Sequence, residues 1–187
     1  MSIEIEKKYR LTKEQRTAVI ARLAQISDRS DGEELEENTL FSGGVLEARP
    51  CVLRLRRVGG RAILTYKERY PSAAPIKHQR EDETEVADPA ALAQILDAIG
   101  FKPAVIYEKR RSTWQVGQAE VVVDELPFGL FMEIEGSEKE ITRVESLLAI
   151  DGLRTEAETY PRLTLKHGKR NGSLIEARFN SVGETRE

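Results

Sequence analysis

Cysteine, histidine and tryptophan are almost missing from this chain. One cysteine, Cys51, excludes an intrachain disulfide, and it reads as a small buried apolar residue. His78 and His167 are the only histidines, so no zinc-type Cys/His cluster can form. No apolar run approaches the ~20 residues of a membrane span. There is no internal repeat and no low-complexity segment. Neither charge sign dominates: 29 Lys and Arg face 32 Asp and Glu, a net charge of −3. A binder of nucleic-acid polymers shows a basic balance, so no such partner is expected. The first strand starts almost at once and leaves no room for a leader peptide, so a soluble cytoplasmic protein, monomer or homodimer, is expected.

What the chain does have is charge. Charged residues make up 33% of it, against about 25% in an average domain, and hydrophobic residues 40%. At 187 residues that supports one domain. We expect it to span 1–168, with a tail over 169–187 that is packed on the domain or partly disordered.

The segment Ser2-Ile3-Glu4-Ile5-Glu6-Lys7-Lys8-Tyr9-Arg10 alternates with a period of two and reads as a strand. Ile3, Ile5, Lys7 and Tyr9 share one face. Glu4, Glu6, Lys8 and Arg10 share the other. Same-side neighbours lie about 6.6–6.8 Å apart. Two carboxylates followed by an amine and a guanidinium at that spacing suit a metal ion beside a phosphate. The plainer reading is a strand with a solvated face.

The same face recurs. Val52-Leu53-Arg54-Leu55-Arg56 alternates leucine with arginine, and Gly59-Gly60 turns it into a strand over 61–69 that aligns Ile63, Thr65 and Lys67. Residues 79–86 place Glu81, Glu83 and Glu85 together. Lys109 and Arg111 repeat the spacing of Arg54 and Arg56, and Glu133 and Glu135 repeat that of Glu4 and Glu6. Arginine forks bind phosphate oxygens bidentately, and carboxylates suit Mg²⁺ or Mn²⁺. Burying so many charges without a ligand would be costly.

Three helices are expected. Thr12 and Gln15 form a capping-box pattern before residues 13–25. Asp88-Pro89 opens a helix that Gly100 closes, burying Ala91, Leu92, Ile95, Leu96 and Ile99. Ser137 and Glu140 cap the third, over Ile141, Val144, Leu147 and Leu148. Polar residues 27–37 read as a mobile loop and 70–78 as another. Thr159-Tyr160-Pro161 ends the regular pattern. About eight strands joined by short turns suggest an α+β fold, an eight-stranded antiparallel β-barrel with its charged face inward and helices outside.

Glu4-x-Glu6-x-Lys8 near the start resembles the signature of the CYTH family, the triphosphate tunnel metalloenzymes, which include class IV adenylate cyclases, thiamine triphosphatases and inorganic triphosphatases. The resemblance continues through Leu53-Arg54-Leu55-Arg56, Thr65-Tyr66-Lys67, Arg80 with Glu83 and Glu85, Lys109-Arg110-Arg111, Asp124 and Glu133-Ile134-Glu135-Gly136. It covers 1 to about 168. It implies an eight-stranded tunnel. It implies that Lys8, Arg54, Arg56, Lys67, Arg80, Lys109, Arg111 and Lys166 grip a triphosphate. Glu4, Glu6, Glu83, Glu85, Asp124, Glu133 and Glu135 would organise Mg²⁺ or Mn²⁺, with Glu4, Glu6 and Lys8 as the catalytic candidates. Where many members have Asp-Thr-Tyr-Phe-Asp, this chain has Asn38-Thr39-Leu40-Phe41-Ser42. The leading expectation is metal-dependent hydrolysis of a triphosphate. The alternatives are cyclisation of ATP to cyclic AMP with release of pyrophosphate, and a non-catalytic polyphosphate- or nucleotide-binding module.

Overall fold

The structure is a computed structural model that describes residues 5–69, 79–150 and 152–180. Ten strands and five helices follow one another among these residues. They are β1 Glu6–Leu11, α1 Lys13–Ile26, β2 Arg29–Ser42, α2 Val45–Ala48, β3 Cys51–Val58, β4 Arg61–Arg69, β5 Gln79–Glu85, α3 Pro89–Ala98, β6 Lys102–Val116, β7 Ala119–Leu126, β8 Gly129–Glu135, α4 Glu138–Leu148, α5 Tyr160–His167, β9 Lys169–Asn171 and β10 Leu174–Ala177. The hydrogen-bonded order is β1-β8-β7-β6-β2-β3-β4-β5, with β10 on β6 and β9 on β10.

The α+β class and the antiparallel hairpins follow the reading of the sequence. The closed barrel of eight strands does not. Among the described residues the strand order has two ends, β1 and β5. One pair, β10 with β6, is parallel. Alternating charge marks one face of a sheet as polar, but closure depends on strand tilt and stagger, which no residue pattern encodes.

The chain forms two compact units. Of the described residues, one unit, here the β1 unit, comprises 5–35 together with Lys109–Thr159; the other, the β3 unit, comprises Glu36–Glu108 and 160–180.

In the β1 unit, β1 pairs with β8, β8 with β7, and β7 with β6, all antiparallel. One sheet face carries Tyr9, Leu11, Trp114, Val116, Val121, Val123, Met132 and Ile134. It packs against Val19 and Leu23 of α1 and Ile141, Val144 and Leu148 of α4. The capping box is present: Thr12 Oγ1 accepts from the Gln15 amide, and Gln15 Oε1 accepts from the Thr12 amide. Ser137 caps α4 by accepting from the Glu140 amide. The outer edge of β1 is covered by the chain at 154–156, through Arg10 N–H to the Arg154 carbonyl and Glu156 N–H to the Lys8 carbonyl.

In the β3 unit, β2, β3, β4 and β5 pair in sequence. Gly59 and Gly60 both take positive φ, at 55° and 78°, as a tight two-residue hairpin needs. Leu55, Ala62, Phe41 and Leu96 form the core there.

Several expectations change. The supposed loop at 27–37 is mostly strand, since β2 begins at Arg29. Its first seven residues are exposed, so no apolar alternation announces them. Backbone bonds hold its start instead: Asp28 N–H donates to the Gln115 carbonyl, and its carboxylate accepts from Gly117 N–H. In α3, Leu96 is buried, but Ile95 and Ile99 stand exposed. Tyr160-Pro161 opens helix α5 rather than ending the pattern, because proline fits a first helical turn. Cys51 is half-buried, not core. The tail from Lys169 forms β9 and β10. The loop proposed over 70–78 lies outside the described residues.

Candidate functional site

Strand alternation places Lys8, Glu133, Val122 and Thr113 in one cross-strand row of the β1 unit, and Arg10, Phe131, Asp124 and Arg111 in the next. The face is opposite the apolar core. On it, charges of alternating sign touch. Lys8 Nζ lies 3.2 Å from Glu133 Oε1. Arg111 Nη2 donates to Glu133 Oε2 at 2.8 Å. Arg111 also grips Asp124 with both prongs, Nε at 2.7 Å and Nη2 at 2.6 Å. Lys109 Nζ stands 3.7 Å from the same carboxylate. Asp124 is fully buried, and Lys8, Lys109 and Glu133 nearly so. Among the described residues, Lys8, Lys109 and Arg111 all contact these two carboxylates. An exposed pair would contribute little, but this fork is bidentate and shielded from water.

Lys8 is steadied further by donating to the Glu158 carbonyl at 3.1 Å. Arg10 stacks over Phe131, 5.1 Å from the ring centroid, and lies 3.8 Å from Glu156. Phe131 is fully buried, so it is core and not an open platform.

The β3 unit carries a second polar face. Asn38 stands opposite Arg56, Arg54 opposite Thr65, and Thr65 opposite Glu83. Glu83 Oε1 accepts from Thr65 Oγ1 at 2.6 Å and from Arg56 Nη2 at 3.4 Å, and it lies 3.8 Å from Arg54 Nη2. The Thr65 bond holds the Glu83 carboxyl below its ordinary range, aided by Arg56, Arg54 and Lys67 against partial burial. Lys67 pairs with Glu81 at 2.8 Å.

Arg80 falls on the opposite face of this sheet, with Tyr66 and Asp82. Odd and even positions of a strand cannot share a face, and Arg80 is even where Glu81, Glu83 and Glu85 are odd. Lys166 is exposed in the last turn of α5. Glu85 is an exposed residue at the end of its row. Glu4 lies outside the described residues. Glu6 and Glu135 are cross-strand partners, both exposed, and Glu120 of β7 is the next in that row. Among the described residues no three acidic, Cys or His side chains converge as a metal cluster would. The Glu6–Glu135 row nevertheless offers hard oxygen donors side by side, the kind Mg²⁺ and Mn²⁺ take.

The charge alternation did not reveal the roles of five residues: Thr65 as the hydroxyl bridge, Glu81 as the partner of Lys67, the Glu158 carbonyl, and the buried pair Glu36 and Asn38. The first two were legible from register with Arg54 and Lys67. A backbone carbonyl from a distant turn has no sequence signal.

A model of the CYTH domain family matches residues 2–160. The chain belongs to the CYTH family. No curated protein matches it significantly. Among solved structures, this CYTH chain resembles a Pyrococcus horikoshii protein with a TM-score of 0.71 at 25% identity, covering 86% of this chain and 98% of that one. A candidate adenylate cyclase from Vibrio parahaemolyticus gives 0.65 at 22% identity, over 87% and 97% of the two chains. A candidate adenylyl cyclase from Hippeastrum, described as having a dominant triphosphatase activity, gives 0.63 at 20%, over 92% and 99%. The CYTH match ends where α5 begins, so α5, β9 and β10 lie beyond it.

Proposed function

We propose that this CYTH protein hydrolyses a triphosphate with the help of a divalent metal ion. The observation that carries the reading is the buried chain of Lys8, Glu133, Arg111, Asp124 and Lys109, which gathers two lysines and an arginine on one sheet face. Each carboxylate there orients the cations around it. Polyphosphate oxygens accept hydrogen bonds and carry negative charge, so they suit Arg111 and the two lysines. Arg54, Arg56 and Lys67 offer the same chemistry on the β3 face. Phosphoryl transfer needs chiefly positioning and charge neutralisation, so it does not require a histidine base.

Glu6 and Glu135, with Glu133 two residues before Glu135 on β8, are the residues we assign to Mg²⁺ or Mn²⁺, together with Glu4 from the sequence pattern. When bound, such an ion would neutralise phosphate charge and make a water more acidic. Lys8 holds the Glu133 carboxylate in place beside that row.

Release of orthophosphate from inorganic triphosphate, thiamine triphosphate and ATP, with Mg²⁺ and with Mn²⁺, tests the proposal. Turnover of at least one is expected. No phosphate from any of them, with folding verified by circular dichroism, would end it. The Vibrio and Hippeastrum neighbours make cyclic AMP the second product to assay: cyclic AMP with pyrophosphate in place of orthophosphate would reassign the protein as a cyclase.

A further inference from the structure

Asn38 of β2 is fully buried, and its amide has one end unmet. Its Nδ2 donates to a Glu36 carboxylate oxygen at 3.4 Å. That bond fixes the orientation of the amide, since turning it over would set oxygen against a carboxylate. Oδ1 then points to no donor. Leaving a buried acceptor unmet costs about 1–3 kcal/mol, so such an atom calls for an explanation.

The neighbouring strand holds the complement. Arg56 is the cross-strand partner of Asn38. Its Nε is a buried donor without a partner, and so is the Nε of Arg54 two residues along the same face. The Nη2 ends of both arginines are directed to Glu83, which leaves the inner N–H groups unused. One acceptor and one donor on adjacent strands of one face can be met together by a single hydroxyl, which both donates and accepts. A phosphate oxygen can meet Arg56 Nε but offers nothing to Asn38 Oδ1.

We propose that Asn38 is a specificity-determining residue that accepts a hydrogen bond from a hydroxyl on the organic group of the triphosphate, the same hydroxyl accepting from Arg56 Nε. The substrate class is then a triphosphate ester bearing a sugar hydroxyl, that is, a ribonucleoside triphosphate rather than inorganic triphosphate. The inference rests on the reading that the Arg54–Arg56 face binds phosphates.

Dissociation constants for ATP, 2′,3′-dideoxyATP and inorganic triphosphate, measured by calorimetry at pH 8 without divalent ions, test it on the wild-type protein and on Asn38→Ala. Wild type should bind ATP about tenfold or more tighter than the dideoxy analogue, an effect of about 1.4 kcal/mol. In Asn38→Ala the ratio should fall to within twofold while affinity for inorganic triphosphate stays within twofold of wild type. Equal binding of ATP and its dideoxy analogue by wild type would overturn the proposal and mean that water alone meets the two atoms. That comparison needs no variant to fold. Binding of inorganic triphosphate without ATP would also overturn it, while leaving the phosphate-binding reading intact. Failure of all three to bind would remove both.

Discussion

Arg111 is the side chain on which the β1 face turns. It reaches Asp124 with two nitrogens and Glu133 with one, so three strands are tied through one guanidinium. Lysine cannot reproduce that fork. Arg111→Lys is expected to keep the fold and lower kcat/KM on the order of 10²-fold, as loss of a preorganised donor does; steady-state kinetics on the triphosphate that is turned over checks it. Asp124→Asn removes the buried carboxylate that Lys109 and Arg111 share and should cost about 3 kcal/mol in urea unfolding. Glu83 gives a pH test. Its folded-state pKa lies below the ordinary carboxylate value, first through the Thr65 hydroxyl and then through Arg56, Arg54 and Lys67. The ionised form therefore adds stability above the usual carboxylate range, and that share is lost as pH falls through the depressed value. Thr65→Val should move the Glu83 titration upward, so the loss begins at higher pH; carboxyl NMR titration reads it directly.

Elements are secured from the side away from the polar face. Lys7 lies 2.5 Å from Glu145 of α4, and the Tyr9 hydroxyl donates to the same carboxylate. These two bonds, the lysine first, hold the Glu145 carboxyl below its usual range, and burial pushes the Tyr9 phenol well above its own. β1 thus presents Lys8 to the polar face while Lys7 and Tyr9 fix its back to a helix. At the far end of the chain, Arg178 donates to Glu37 at 2.5 Å and to Glu108 and Glu176 at 3.0 Å, and Phe179 N–H donates to Glu108. This latch holds β10 parallel to β6. Arg178→Ala is expected to speed amide hydrogen exchange over 174–177 by about tenfold or more while leaving β7 and β8 protected. Unchanged exchange there would show that backbone pairing alone keeps the strand. The helix caps at Thr12, Asp88 and Ser137 were readable because a cap is a local bond between residues two or three apart. The start of β2 and the pairing of β10 were not, because a polar strand held by backbone bonds leaves no periodic trace. Ile95 and Ile99 mislead for the converse reason: helical spacing marks a face as apolar but does not supply a partner for it.

For the molecule as a whole, the test is ligand linkage. A triphosphate bound at 100 times its Kd adds about 2.7 kcal/mol of stability. In a chain of this size that should raise the thermal midpoint by roughly 5–10 °C. The shift should shrink as salt is raised, because exposed phosphate charge is screened. A midpoint indifferent to triphosphate would count against both polar faces as anion sites.

Residue order alone determined which side chains share a face. A period of two is a property of the extended backbone, so Lys8 with Glu6, Arg54 with Arg56, and Glu133 with Glu135 were paired before any fold was known. It also determined the turns, where adjacent glycines permit a backbone that other residues resist. Tertiary structure decided register and company: that Lys8 meets Glu133, that Arg111 forks onto Asp124, that Arg80 falls on the far side, and that Asn38 stands across from Arg56. Those outcomes depend on which strands lie next to each other and how far each is slid. That is set by the sum of many contacts across the sheet, not by any run of neighbours along the chain.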